Sequence, residues 1–252
     1  MFTTAMGPRG VLLVVVAALG LSVFTMVVHW CLSWQKGFSW DGSSRQFNWH
    51  PVLMLTGLVL LYGLALLSYR FPCAHAMPKF RWKVLHAGLQ AIAFLLTVVG
   101  LVAVFDFHNA KRIPNMYSLH SWFGLAAVLL FTLQGLVGLS VFFFPSSPTH
   151  LRSAAKPLHV FFGIFIYCII LATAGMGITE KLIFSLKKTN GTRPYSDSPP
   201  ESLFVNTLGM LIMAYGGCVL FSVTRPQWQW PQDDHWEVDS ESGTTEMKGM
   251  RK

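Results

Sequence analysis

Four histidines, His50, His86, His120 and His159, follow one another at intervals of 36, 34 and 39 positions, each at the edge of a long apolar run. An ionisable ring set against apolar surroundings needs a partner. Neutral imidazole is a good transition-metal ligand, and two imidazoles from facing segments make a six-coordinate haem iron suited to electron transfer. A single histidine at such a place is as readily a helix cap or a headgroup contact. Four in register argue for paired ligation of a metal or a haem, with proton or ion conduction as the other chemistry that intramembrane histidines serve.

The elements that would hold these rings are read from composition. The 252 residues are 53% apolar and 12% charged, with a mean hydropathy of +0.48, whereas an ordinary soluble domain is about a quarter charged. A soluble fold is excluded on that ground. Uncharged runs near the roughly 20 residues that cross a bilayer give six spans, at 10–33, 50–69, 84–105, 119–144, 157–178 and 202–224. The runs are continuous rather than alternating, which predicts helices. The first lacks a small-residue cleavage site and reads as a retained helix. The expected fold is an all-α polytopic membrane protein with six transmembrane helices, spans two to five forming a four-helix core that holds the paired rings and, as the resemblance given below implies, two haems. Residues 1–228 form that one domain, and 229–252, without apolar periodicity, form a disordered cytosolic tail.

Consecutive helices run in opposite directions. The starts of spans two and four therefore lie near one face and those of three and five near the other, which pairs His50 with His120 and His86 with His159. Two such pairs across a hydrocarbon layer of about 30 Å form a relay.

The formal net charge of +8 does not signal a nucleic-acid partner, because the basic residues are scattered through short loops. Cys31, Cys73, Cys168 and Cys218 show no CxxC spacing and read as small buried apolar residues, not as a disulfide framework or a zinc site. With both termini on one side, that side carries eleven of the Lys and Arg residues and the other eight. The bias favours cytosolic termini. Asn190, in Asn190-Gly191-Thr192, is a glycosylation acceptor that would put the 179–201 loop outside the cytosol, in agreement.

Around these histidines the sequence strongly resembles the cytochrome b561 family of ascorbate-dependent transmembrane reductases, from about Gly37 to Trp228. The resemblance is carried by Phe47-Asn48-Trp49-His50-Pro51, Ala65-Leu66-Leu67-Ser68-Tyr69-Arg70, Leu101-Val102-Ala103-Val104-Phe105, Tyr117-Ser118-Leu119-His120-Ser121-Trp122, Pro157-Leu158-His159 and Thr179-Glu180-Lys181-Leu182. His159-Val160-Phe161-Phe162-Gly163 and Thr192-Arg193-Pro194-Tyr195 resemble the lysosomal branch, and Val223-Thr224-Arg225-Pro226-Gln227-Trp228 resembles the duodenal one. Ser68 and Trp230 depart from the family pattern, and neither touches a ligand position.

The resemblance implies two haem b groups on the four histidines, cytosolic ascorbate as donor and an acceptor on the opposite face. That acceptor is ferric iron, which makes the chain a ferric reductase, or monodehydroascorbate in a vesicle lumen. The expected membrane is that of late endosomes or lysosomes, with the plasma membrane as the alternative, and the family's habit implies a homodimer. Lys79, Lys83 and Arg152 are implied contacts for ascorbate. Arg70, Lys79, Asn115, Met116, Tyr117, Ser118, Arg152 and Glu180 are implied neighbours of the haem periphery, where cationic and hydroxyl donors suit propionates. His108 is a candidate ligand for the acceptor metal.

Two readings from other classes remain. One is a transporter in which the histidines relay protons or carry metal. The other is an adaptor that assembles through small residues such as Gly57, Gly63, Gly88 and Gly100. Outside the register, His29 is expected to pack on Trp30 or a polar neighbour, and His75, His150 and His235 to lie in loops or tail.

Overall fold

In hydrocarbon every backbone N–H and C=O must be satisfied within its own segment, so long uncharged runs rich in Leu, Val and Phe become helices. The computed structural model describes residues 7–70, 78–144, 147–188 and 193–228. Six long helices form: α1 Pro8–Ser33, α2 Ser44–Arg70, α3 Lys79–Lys111, α4 Leu119–Phe143, α5 Thr149–Ser185 and α6 Pro200–Thr224. Each is long and apolar enough to cross a membrane, and the protein is an all-α, multi-pass membrane protein. Local chemistry sets the ends. Pro8 and Pro200 stand in first turns, where a missing N–H is harmless. A capping box opens α4, with Ser118 Oγ accepting from the Ser121 N–H at 3.3 Å. Arg112 ends α3 in the left-handed region at φ 55°.

Helices α3 and α5 overrun the expected spans 84–105 and 157–178. Their 33 and 37 residues reach about 50 and 55 Å at 1.5 Å per residue, well beyond a hydrocarbon layer of about 30 Å. Hydropathy reports the apolar layer, whereas helical hydrogen bonding continues through the headgroups. Lys79, Lys83, His150 and Arg152, expected in loops, therefore ride on the first turns of α3 and α5. Pro157, expected to begin span five, lies inside α5.

Other expectations also shift. His29 has the expected polar neighbour, Ser33 Oγ, 3.4 Å from its Nε2, and its ring packs on Trp34 and Phe204 at centroid distances of 5.7 and 5.4 Å rather than on Trp30, whose indole N–H donates to Glu201 at 2.8 Å. Cys31 is buried, but Cys168 is exposed on the outer surface of α5 and Cys218 is half-buried. Cys73, His75, Asn190, His235 and the 229–252 tail lie outside the described residues.

Helices α2 and α3 pack closely as one antiparallel hairpin and α4 and α5 as another, while the two hairpins touch more sparingly. Helices α1 and α6 pack on each other and flank α2. The hub is α2, with 61% of its most apolar stretch buried against 17–33% for the other five. Its middle, Leu55–Leu61, is π-helical. The wider turn presents the Val59 and Leu60 carbonyls to the Tyr167 and Tyr215 hydroxyls, which donate at 3.2 and 2.9 Å, while Tyr62 donates to the Gly163 carbonyl at 3.0 Å. All three phenols are fully buried.

The small-residue positions serve this packing. A Cβ on Gly57 would stand 2.9 Å from the Ala93 carbonyl oxygen, one on Gly63 2.8 Å from Tyr167 Oη, and one on Gly100 3.3 Å from Leu53 Cβ. Gly88 alone of the four faces open space. The stripe read as an adaptor surface is thus largely spent inside the chain.

Candidate functional site

Each hairpin sends one histidine to each end of the bundle. His50 of α2 meets His120 of α4, with ring centroids 6.2 Å apart and planes at 89°. His86 of α3 meets His159 of α5 at 6.4 Å and 65°. Within each hairpin a ring is anchored by the antiparallel partner. His50 Nδ1 lies 3.1 Å from the Gly100 carbonyl oxygen, His86 Nδ1 2.8 Å from that of Ala65, and His120 Nδ1 2.9 Å from that of Thr173. A carbonyl only accepts, so these three Nδ1 atoms carry the proton and leave Nε2 with a free lone pair, the metal-binding tautomer. His159 differs. Its Nδ1 is buried without a partner, and its position is fixed by packing on Phe142, 5.1 Å away, and by Gln134 Nε2, which donates to the His159 carbonyl at 2.6 Å.

Glycines on the facing helix make room for two of the rings. A Cβ on Gly177 would stand 2.6 Å from His120 Cε1, and one on Gly138 3.0 Å from His159 Cε1. Any larger residue would push the ring off its seat.

The spacing of the rings tests what they could hold. A metal-to-imidazole bond is about 2 Å, so two imidazoles on opposite sides of one ion have centroids about 6 Å apart. Both pairs match. Among the described residues no cluster of three or more His, Cys, Asp or Glu side chains could hold a metal, so further ligands would have to come from the cofactor itself. Haem brings four nitrogens of its own and asks the protein only for axial ligands.

The chain matches the model of the eukaryotic cytochrome b561 family over residues 49–185. It belongs to that family. A cytochrome of this kind binds haem b. Its relatives include a plasma membrane ascorbate-dependent reductase of Xenopus laevis, 50% identical over 216 residues that cover 86% of this chain and 74% of that protein. A human lysosomal membrane ascorbate-dependent ferrireductase is 49% identical over 215 residues, covering 85% and 88%. The corresponding protein of Danio rerio is 46% identical over 215 residues, covering 85% and 87%.

In this cytochrome b561 the remaining expected residues divide between the two ends. At the His86–His159 end, Tyr69 stacks obliquely on His86 at 5.6 Å. Arg70 donates to the Val223 and Trp228 carbonyls at 2.8 and 3.4 Å, closing the C-terminal end of α6. Arg152 donates to the Phe144 carbonyl at 3.1 Å, tying α5 to the end of α4. A guanidinium has five N–H donors, so the two bonds of Arg70 leave it capacity for an anion. Lys79 is exposed and Lys83 half-buried.

At the His50–His120 end, Asn115 Nδ2 donates to Asn109 Oδ1 at 2.9 Å, and the Met116 carbonyl accepts from Trp122 Nε1 at 2.8 Å. Met116 itself is left-handed at φ 58°, a conformation that costs a non-glycine residue about 1–2 kcal/mol. Ser118 is spent on the α4 cap. Tyr117 is exposed, and slight burial and the Glu180 carboxylate push its phenol up from the ordinary value. A run of rings leads outward from the pair: His50 to Phe47 at 5.9 Å, Phe47 to Phe107 at 5.5 Å, and Phe107 to His108 at 5.8 Å.

The sequence reading missed Gly138, Gly177, Gln134 and Phe142 around the rings, and Lys181, whose ammonium lies over Phe47. Glycine inside a transmembrane helix is the one general signal of a close approach. It does not say what approaches.

Proposed function

We propose that the chain is a transmembrane oxidoreductase that takes electrons from ascorbate at one membrane face and delivers them to ferric iron at the other, through two haem b groups. His50 and His120 would hold one and His86 and His159 the other. The observation that carries this reading is the pair of imidazole couples, 6.2 and 6.4 Å between centroids, at opposite ends of the same four helices. A haem held by two imidazoles supplies an iron that changes by one electron without needing to take up or lose a ligand.

The chain's own residues do the rest. Carbonyl acceptors on three Nδ1 atoms fix ring orientation and raise ligand basicity. Lys79, Lys83 and Arg152 offer cations and N–H donors to the ascorbate monoanion, which gives up one electron and one proton. Arg70 adds a carboxylate-binding fork beside them. On the other face, Asn115, Met116, Tyr117, Ser118 and Glu180 border the cofactor, and His108 at the end of the ring series meets the ferric acceptor. Asn190, on that face, carries the glycan. The charge bias among the loops supports cytosolic termini, with the ascorbate end in the cytosol and residues 229–252 as a cytosolic tail. Relatives of both lysosomal and plasma membranes match the chain; the acidic-organelle membrane is the reading favoured, and a homodimer the assembly.

The test is a reduced-minus-oxidised spectrum of the purified protein after ascorbate is added, followed by ferric reduction inside sealed vesicles with ascorbate outside. Two haems per chain, both reducible by ascorbate, are expected. Protein without bis-imidazole haem absorbance, or haem that ascorbate leaves oxidised, overturns the proposal.

A further inference from the structure

Lys181 lies about one turn from the end of α5, at the His50–His120 end of the bundle. It is half-buried, and its ammonium sits 4.5 Å above the centroid of the Phe47 ring, the ring that in turn lies 5.9 Å from His50. Among the described residues Lys181 forms no hydrogen bond and no ion pair. Arg45 of the same region has Asp41 at 3.3 Å; Lys181 has no such partner. Glu201 is within electrostatic reach, but its carboxylate oxygen already accepts from Trp30 Nε1 at 2.8 Å and Gln35 Nε2 at 2.6 Å.

A cation partly withdrawn from water needs an anion or a carbonyl to meet its three N–H donors. An aromatic face attracts the charge yet satisfies none of those donors fully. A lysine that merely anchors a helix end extends its ammonium to the headgroups; this one is turned inward onto the first ring outside His50. We infer that Lys181 is the cation that receives a carboxylate at the acceptor-side edge of the His50–His120 centre, in company with Phe47. The inference rests on the reading that this pair holds a haem. A carboxylate at that place has two sources: a propionate of the haem, or a carboxylate of the chelator that brings ferric iron.

The two sources separate in one experiment on the full-length protein in lipid nanodiscs, comparing wild type with Lys181→Met, Lys181→Gln and Lys181→Arg. The readouts are haem content, the midpoint potential of each centre, and ascorbate-driven reduction of ferric citrate beside hexaammineruthenium(III), a cationic acceptor without carboxylates. If the chelator supplies the carboxylate, both neutral variants raise the KM for ferric citrate about tenfold and leave the ruthenium complex and both potentials unchanged. If the propionate does, the acceptor-side centre becomes harder to reduce, because a nearby positive charge stabilises the added electron. Its reduced-to-oxidised ratio at fixed poise then falls about tenfold, which is 59 mV for one electron, and both acceptors are affected alike. Arginine restores either property.

Haem retained at the His86–His159 centre reports that the variants fold. Neutral variants with unaltered potentials and unaltered KM for both acceptors would overturn the inference. Wild-type protein with no haem at the His50–His120 pair would instead sink the reading beneath it.

Discussion

A methyl group at position 177 would stand 2.6 Å from His120 Cε1, closer than carbon atoms approach without displacement, and one at 138 would stand 3.0 Å from His159 Cε1. Gly177→Ala is therefore expected to lose most of the His50–His120 haem and Gly138→Ala a smaller part of the His86–His159 haem, measured as haem per chain from the pyridine haemochrome. Equal, full occupancy in both variants would refute the seating of the rings. His86→Ala or His159→Ala is expected to remove one haem and leave a fraction of the other, and two haems retained in either would break the pairing. The histidines themselves were legible, because a repeat of about one span and one loop is written in their numbering. Their glycine seats were not. Gly177 lies 57 positions from His120, and only the register of α5 on α4 brings the two together. The carbonyls of Gly100, Ala65 and Thr173 were equally hidden, since every residue owns a carbonyl and only its placement makes it a partner.

At the scale of the element, apolar runs told where helices cross but not where they end, because hydrogen bonding in α3 and α5 outlasts the apolar layer. The π-helical turn of Leu55–Leu61 had no signal at all: leucine, valine and glycine read the same in either winding. What reveals it is the set of tyrosine hydroxyls bonded to its carbonyls. Tyr215→Phe removes the buried bond from the phenol to the Leu60 carbonyl, and a hydrogen bond of this kind contributes about 0.5–1.5 kcal/mol. The expected result is a lower thermal midpoint in detergent with haem content unchanged at low temperature; an unaltered midpoint would argue against a structural role for the bond. The turn before α2 makes a different claim. Asp41 accepts from Ser39 Oγ at 2.7 Å, the Ser43 N–H at 3.0 Å and Arg45 Nη2 at 3.3 Å. The hydroxyl of Ser43 foremost, then that of Ser39, then the Ser43 N–H and Arg45, hold its carboxyl well below the usual carboxylate range. A depressed folded-state pKa gives stabilisation that is present above the unfolded value of about 4 and lost only as pH falls through the lower folded value. Acidification from about pH 7 to about pH 5 should then leave the turn ordered. Hydrogen exchange of residues 39–45, corrected for intrinsic rates, checks this; protection lost by the lower pH contradicts it.

For the whole molecule, the decisive arrangement is two hairpins that pack tightly within themselves and sparingly on each other, with one histidine of each hairpin in each pair. Neither hairpin contains a complete site. Ligand binding to the folded state stabilises it by mass action, so each haem should stabilise the joined pair of hairpins rather than either alone. The double variant His50→Ala with His159→Ala, which takes one ligand from each end, is expected to melt well below either single variant; a midpoint equal to that of the singles would count against the scheme. The six-helix count could be read from the apolar runs, and the assignment of histidines to ends from alternating helix direction. The looseness between hairpins could not, since it depends on which faces meet. That looseness has a mechanical meaning. Two plates held by one bolt can still swing about it, and a second bolt at the far end removes the swing. The two imidazole couples stand where those bolts would be, so in the proposed relay the groups that would move charge across the membrane would also fix the angle between the halves of the bundle.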